Sequence, residues 1–259
     1  MKRPFPLGVS AMPDQVTSLA GYYDFIEPPG SRVLAGLVGD AGYAPHKALL
    51  EASPLPVKAF NVLFPSELRL VGDKVDWEQV EQYLERVVSR AADLGARVLV
   101  FGSGGARSAP EGFSRATAWG QLVRVLTLGA RFADPRGIVF AVEGLRRPES
   151  NMINSFTEAL QLARDVDRQS VRVLADIFHF VEEGEPLADI REGADWLVHV
   201  HLAGEERRYP GFGRYPLREL FDVLTEVRYQ GGVSIECRWG DDLASEALYA
   251  AGYLDALLS

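Results

Sequence analysis

The sequence predicts an α/β protein folded as a single (β/α)8 barrel over residues 1–259. Three observations predict it. Eight short apolar runs alternate with eight helical or partly helical stretches along the chain. No Pro/Ser-rich linker or low-complexity tract divides them, and 259 residues is an ordinary length for such a barrel as one unit. An open, doubly wound sheet would normally carry a G-x-G-x-x-G after its first strand, and none is present.

The first half is the less legible. Leu7–Ser10 reads as a minimal first strand and Tyr22–Glu27 as a second, stopped by Pro28-Pro29-Gly30. Residues 31–53 show only scattered Ala and Leu, so one or two helical turns are expected, with His46 exposed in a loop. Leu55–Asn61 reads as the third strand. From Asp76 the pattern turns helical, with Val80, Tyr83, Leu84, Val87, Val88 and Ala91 at three- and four-residue spacing until Gly95. Arg97–Gly102 reads as the fourth strand, and a second amphipathic helix runs through Trp119, Leu122, Val123 and Leu126 to about Phe132. The Gly-Ser-Gly-Gly run at 102–105 lacks the spacing and Lys-Ser/Thr of a phosphate loop, so it predicts a tight turn or a close approach of backbone to substrate. Arg107 is expected to reach over the mouth from there.

The second half is organised around four apolar runs, each closed by a metal-seeking side chain: Ile138 to Glu143, Val171 to Asp176, Trp196 to His201 and Gly232 to Glu236. Runs this rich in Val, Ile and Leu read as strands buried on both faces. Helices are expected near Ser155–Val166, around Phe178–Ile190, from Pro216 through Leu224, and over about 241–258. An acidic residue at one strand end is commonly a surfacing residue or a helix cap. Four in the same place of consecutive β/α units predict ligands converging at the C-terminal mouth of one parallel sheet. Three carboxylates and one imidazole suit Mn²⁺, Mg²⁺, Co²⁺ or Zn²⁺ better than copper or an iron–sulfur cluster. His179, three residues past Asp176, is placed just above the same mouth, as a ligand, a substrate contact or a capping histidine. His199, two before His201, is expected deeper in the barrel in a buried, hydrogen-bonded role.

Bulk properties narrow the classes. The net charge of −9 and a pI of about 5.1 leave no general attraction to phosphate backbones, so no nucleic-acid partner is expected. No run approaches a membrane span, and the N-terminal stretch lacks the apolar core of a signal peptide, so no membrane partner and a cytoplasmic location are expected. The lone Cys237 forms no internal disulfide and is expected as small buried filler on the opposite side of its strand from Glu236.

Taken together, Glu143-Gly-Leu-Arg-Arg-Pro-Glu149 with Asn154-Ser155, Asp176-Ile-Phe-His179, His199-Val-His201 with Arg207 and Pro210-Gly-Phe-Gly213, and the last-strand Glu236 resemble the sugar isomerase/epimerase superfamily of xylose-isomerase-like TIM barrels. The likeness is to ketose 3-epimerases and hydroxypyruvate isomerase-like proteins, is good over roughly 95–240 and is poor over the first 90 residues. The resemblance implies that Glu143, Asp176, His201 and Glu236 hold one divalent cation. It also implies that Glu149, His179 and Arg207 touch substrate. Arg146 stands where the family has Asn. The endonuclease IV type of the same barrel needs further histidines on its early strands, and this chain has four histidines in all. The activity so implied is epimerisation or aldose–ketose isomerisation of a small sugar or hydroxy-ketone through an enediolate, with Glu143 and Glu236 as the acid–base pair. An inosose-type dehydratase on the same site and a non-catalytic sugar- or metal-binding barrel are the alternatives. A small sugar or polyol is the expected partner, and a homo-oligomer is compatible with the reading.

Overall fold

The computed structural model describes residues 3–259. Eight strands form one sheet: β1 Leu7–Val9, β2 Phe25–Ile26, β3 Ala59–Phe60, β4 Val98–Phe101, β5 Val139–Glu143, β6 Val171–Asp176, β7 Leu197–Leu202 and β8 Gly232–Ile235. All pairs are parallel, in the order β2-β1-β8-β7-β6-β5-β4-β3. Single parallel bridges, Ile26 to Val57 and Pro29 to Asn61, join the two ends and bring the sheet round into a nearly closed barrel. Among the described residues no helix is long and apolar enough to cross a membrane.

The helices are α1 Gly30–Val33, α2 Asp40–Glu51, α3 Trp77–Asp93, α4 Gly104–Arg107, α5 Arg115–Ala133, α6 Phe156–Val166, α7 Ile177–Glu183, α8 Leu217–Glu226 and α9 Leu243–Leu258, with a 3₁₀ segment at Leu187–Trp196. Four of them, α3, α5, α6 and α9, start where the sequence supplies an acceptor for orphan amides: Asp76 accepts from Gln79 N, Ser114 from Thr117 N, Ser155 from Glu158 N and Asp242 from Ser245 N. The stripe on α3 is buried as its spacing predicts, and Gly95 beyond it takes a positive φ of 77°.

The early region departs from expectation. Residues 40–51 form a full helix in which His46 is half-buried, rather than a loop with one or two turns. That helix buries only Tyr43 and Leu50 and contains Pro45, so it leaves no apolar stripe to read. The second and third strands are also shorter in the ladder than their apolar runs.

The barrel interior sets the height of the functional side chains. Val100, Ala141 and Leu174 form a separate inner apolar cluster with almost no exposed surface. Burying a leucine such as Leu174 there contributes roughly 2–3 kcal/mol. Alternation along a strand then points Gly102, Glu143 and Asp176 inward, two positions further toward the C-terminal mouth. Asp176 registers with His201 and His201 with Ser234, and Glu236 lies two residues beyond on the same side of its strand.

Candidate metal centre

The structure brings Glu143, Asp176, His201 and Glu236 together. One donor atom from each lies within 4.8 Å of the others, and all but the partly covered Glu236 are buried. His201 Nδ1 is the hub, 3.3 Å from Glu143 Oε1 and 3.2 Å from Glu236 Oε2. Asp176 does two jobs. Its Oδ1 caps α7 by accepting from Phe178 N at 2.8 Å, leaving Oδ2 for the cluster.

The electrostatics follow from packing carboxylates out of water. Burial raises the Glu143 and Asp176 pKa values, since each would be a desolvated anion beside others. Burial also opposes charge on Glu236 and His201, but is overcome at both. His201 and Arg207 hold the Glu236 carboxyl well below the usual range, while Glu27 and Glu236 raise His201 well above 6.5. A divalent cation relieves such mutual repulsion, and three carboxylate oxygens with one imidazole nitrogen are an ordinary donor set for one. The cluster fits a divalent metal.

The three residues that the resemblance assigns to substrate lie on the rim. Arg207 Nη2 is 2.5 Å from Glu236 Oε2 and 3.5 Å from Asp176 Oδ2, and Nη1 is 4.0 Å from Glu149 Oε1. Arg207 and Glu206 both have a φ of 57°, so the backbone enters the left-handed region where this side chain turns back over the mouth. Glu149 accepts from Arg146 Nε at 2.7 Å, and Arg146 also reaches Glu182 at 3.1 Å across the rim. His179 is buried, its Nε2 3.5 Å from Asp176 Oδ2. Two N–H donors face its ring, Arg146 N at Nδ1 (3.2 Å) and Arg207 Nη1 at Nε2 (3.3 Å). A neutral imidazole accepts from only one of them, and burial pushes this ring down to about 4, so it is neutral above that. Asn154 holds the intervening loop, donating to Leu145 O (2.8 Å) and Ser150 O (2.7 Å).

Arg107 does not reach over the mouth. It is 1% exposed and lies beneath it, donating to the carbonyls of Phe101 (2.7 Å), Glu143 (2.8 Å) and Ile153 (3.2 Å). Carbonyls at the ends of β4 and β5 need donors, and a charged donor contributes roughly 1.5–3 kcal/mol per bond net of the bonds given up to water. Burial lowers its pKa to about 10, leaving it charged at neutral pH. Gly102 makes a close approach of another kind, to a side chain of the centre itself: a Cβ there would collide with Glu143 Oε2. Cys237 is half-buried against the apolar core.

Two polar residues that sequence reasoning passed over belong to the centre. Asn61, at the end of the third apolar run, donates to Glu236 Oε1 at 2.6 Å and to Ser10 Oγ at 2.8 Å. Glu27, at the end of the second run, has no exposed surface and bridges His199 Nε2 (2.8 Å) and His201 Nε2 (2.9 Å). His199 is thus buried and hydrogen-bonded, as its position predicts. The two histidines hold the Glu27 pKa at about 2 against the opposing effect of burial. The signal for both was the one used elsewhere: a polar side chain closing an apolar run.

Comparison with known proteins shows the fold and the family. D-psicose 3-epimerase of Ruminiclostridium cellulolyticum is 33% identical over 119 residues, covering 46% of this chain and 41% of that protein. L-ribulose 3-epimerase of Mesorhizobium japonicum is 30% identical over 172 residues, covering 64% of this chain and 56% of that protein. In sequence, then, the chain spans about half the length of these curated relatives. In structure, D-allulose 3-epimerase from Methylomonas sp. superposes with a TM-score of 0.81 at 20% identity, covering 99% of both chains. The family profile described as xylose isomerase-like TIM barrel matches residues 20–256, most of the chain. The protein belongs to the xylose isomerase-like TIM-barrel family.

Proposed function

We propose that the protein is a divalent-metal-dependent sugar epimerase or aldose–ketose isomerase. One observation carries this reading: three carboxylates and an imidazole from consecutive strands meet around one point, with Arg207 and His179 beside it. Glu143, Asp176, His201 and Glu236 would hold the cation, Mn²⁺ being the best match. When bound, it supplies Lewis acidity next to a substrate carbonyl, which lowers the cost of removing the proton on the neighbouring carbon.

The chain's own residues do the remainder. Glu143 and Glu236 approach from β5 and from just beyond β8, strands separated around the barrel, and each lies beside His201 Nδ1. One takes the proton and the other returns it from the opposite face, which inverts the carbon. Asn61 and Arg207 hold the two oxygens of Glu236, fixing the direction in which its carboxylate points. Arg207 places positive charge where an enediolate develops negative charge. His179, neutral, and Glu149 give the rim one hydrogen-bonding group each for substrate hydroxyls. The similar curated proteins act on ketoses by their names, and this supports a small ketose or hydroxy-ketone as substrate.

The test is incubation of the Mn²⁺-loaded protein with a panel of ketoses and inososes in D₂O. The reading expects an isomeric product carrying one solvent deuterium at the rearranged carbon. Loss of water, seen by mass, would point to a dehydratase instead. Metal uptake with no isotope exchange on any substrate would contradict catalysis.

A further inference from the structure

His201 has two ring nitrogens and a different task at each. Nδ1 faces Glu143 and Glu236, whereas Nε2 faces Glu27 Oε1 at 2.9 Å. A ligand nitrogen must present a lone pair, so the proton of the neutral ring has to sit on the other nitrogen. Glu27 supplies the acceptor that keeps it there. The second oxygen of Glu27 is held in turn by His199 Nε2 at 2.8 Å, and all three residues are buried. The two imidazoles stand edge-on, their planes at 84°, so a single carboxylate accepts from both without their rings clashing.

Glu27, His199 and His201 also lie close enough to be considered a second cation site. The geometry argues against it. Contacts of 2.8 and 2.9 Å are the lengths of N–H···O hydrogen bonds to a carboxylate. The His201 nitrogen in that cluster is the one that must keep its proton for Nδ1 to serve the main centre.

We propose that Glu27 is a positioning residue for the metal centre: anchored by His199, it holds His201 as the Nε2–H tautomer with the Nδ1 lone pair turned to the cation. This rests on the reading of His201 as a ligand. Partners of this kind typically set metal affinity by about 10–100-fold, because they fix both ring orientation and tautomer.

The experiment compares full-length parent, Glu27→Met, Glu27→Gln and Glu236→Gln after chelator treatment, titrated calorimetrically with Mn²⁺. Methionine keeps the length and removes the acceptor; glutamine keeps one acceptor oxygen. Glu27→Met is expected to weaken Mn²⁺ binding about 10–100-fold and Glu27→Gln by less than about tenfold, both retaining the parent's circular dichroism. In the Zn²⁺-loaded parent, long-range ¹H–¹⁵N correlation is expected to show His201 protonated at Nε2 and not at Nδ1. Folded Glu27→Met that binds Mn²⁺ as tightly as the parent would overturn the inference while leaving the metal site itself supported by the loss in Glu236→Gln. A parent that binds no Mn²⁺ would overturn both. If Glu27→Met fails to fold, the nitrogen spectra of the Zn²⁺-loaded parent and Glu27→Gln decide: an Nε2 proton shifted downfield by its carboxylate partner in the parent, and less so in Glu27→Gln, upholds the inference, whereas a His201 proton on Nδ1 or one whose shift ignores the substitution overturns it.

Discussion

Asn61 Nδ2 donates to Glu236 Oε1 at 2.6 Å, tying the end of the third strand run to the end of the eighth across the barrel mouth. Arg207 takes the other oxygen of the same carboxylate. Glu236 is therefore gripped from two sides before any substrate arrives. Replacing Asn61 by Leu keeps the volume and removes the amide donor. A hydrogen bond to a charged group contributes about 1.5–3 kcal/mol, so Asn61→Leu is expected to lower kcat about 10–100-fold. Metal stoichiometry is expected to stay at the parent's level. Steady-state kinetics beside metal analysis checks both parts.

Gly102 makes room for a second carboxylate. A methyl group at this position would meet Glu143 Oε2, and the side chain would have to swing away from the cluster. Gly102→Ala is expected to fold with the parent's melting temperature within a few degrees. Its kcat/KM is expected to fall about 100-fold, the effect of misplacing a reacting group by about an ångström. Thermal melts and kinetics on the same sample test this.

Away from the mouth, Glu185 offers a pH signature. Its Oε2 accepts from Phe156 N at 2.8 Å at the start of α6, and burial pushes its pKa from 4.5 up to about 7. The folded state then holds this proton more tightly than the unfolded chain. The stabilisation is present below about 4.5 and is lost as pH rises to about 7. Glu185→Gln mimics the protonated form at every pH. It is expected to melt above the parent at pH 8, with the difference closing as pH falls toward 5. A difference that stays constant across that range would contradict this explanation.

How much of this was written in the sequence depends on what each residue leans upon. The later strands announced themselves, because buried parallel strands are continuous apolar runs and each ended on a polar side chain in the same place. Glu143, Asp176, His201 and Glu236 were legible for that reason. Glu27 and Asn61 carry the same mark, but their strands contribute only two residues each to the ladder, and Pro28-Pro29 made the first look merely like a strand stop. Their burial is a property of the closed barrel, not of the local chain. Arg107 misled in the opposite direction. A long cation after a glycine-rich turn reads as an outward arm, and only the three carbonyls gathered at one point, two of them from far along the chain, explain why it folds inward. The helix over residues 40–51 lacked an apolar stripe to reveal it, since just two of its side chains are buried.

The central claim is that four side chains from β5, β6, β7 and the end of β8 share one cation. Metal analysis of the parent, Glu236→Gln and His201→Ala after exposure to Mn²⁺ and removal of the excess tests it most directly. The account predicts about one Mn²⁺ per chain in the parent and clearly less in both variants, with unchanged circular dichroism, as four ligands for a single ion require. Undiminished stoichiometry in both variants would contradict it.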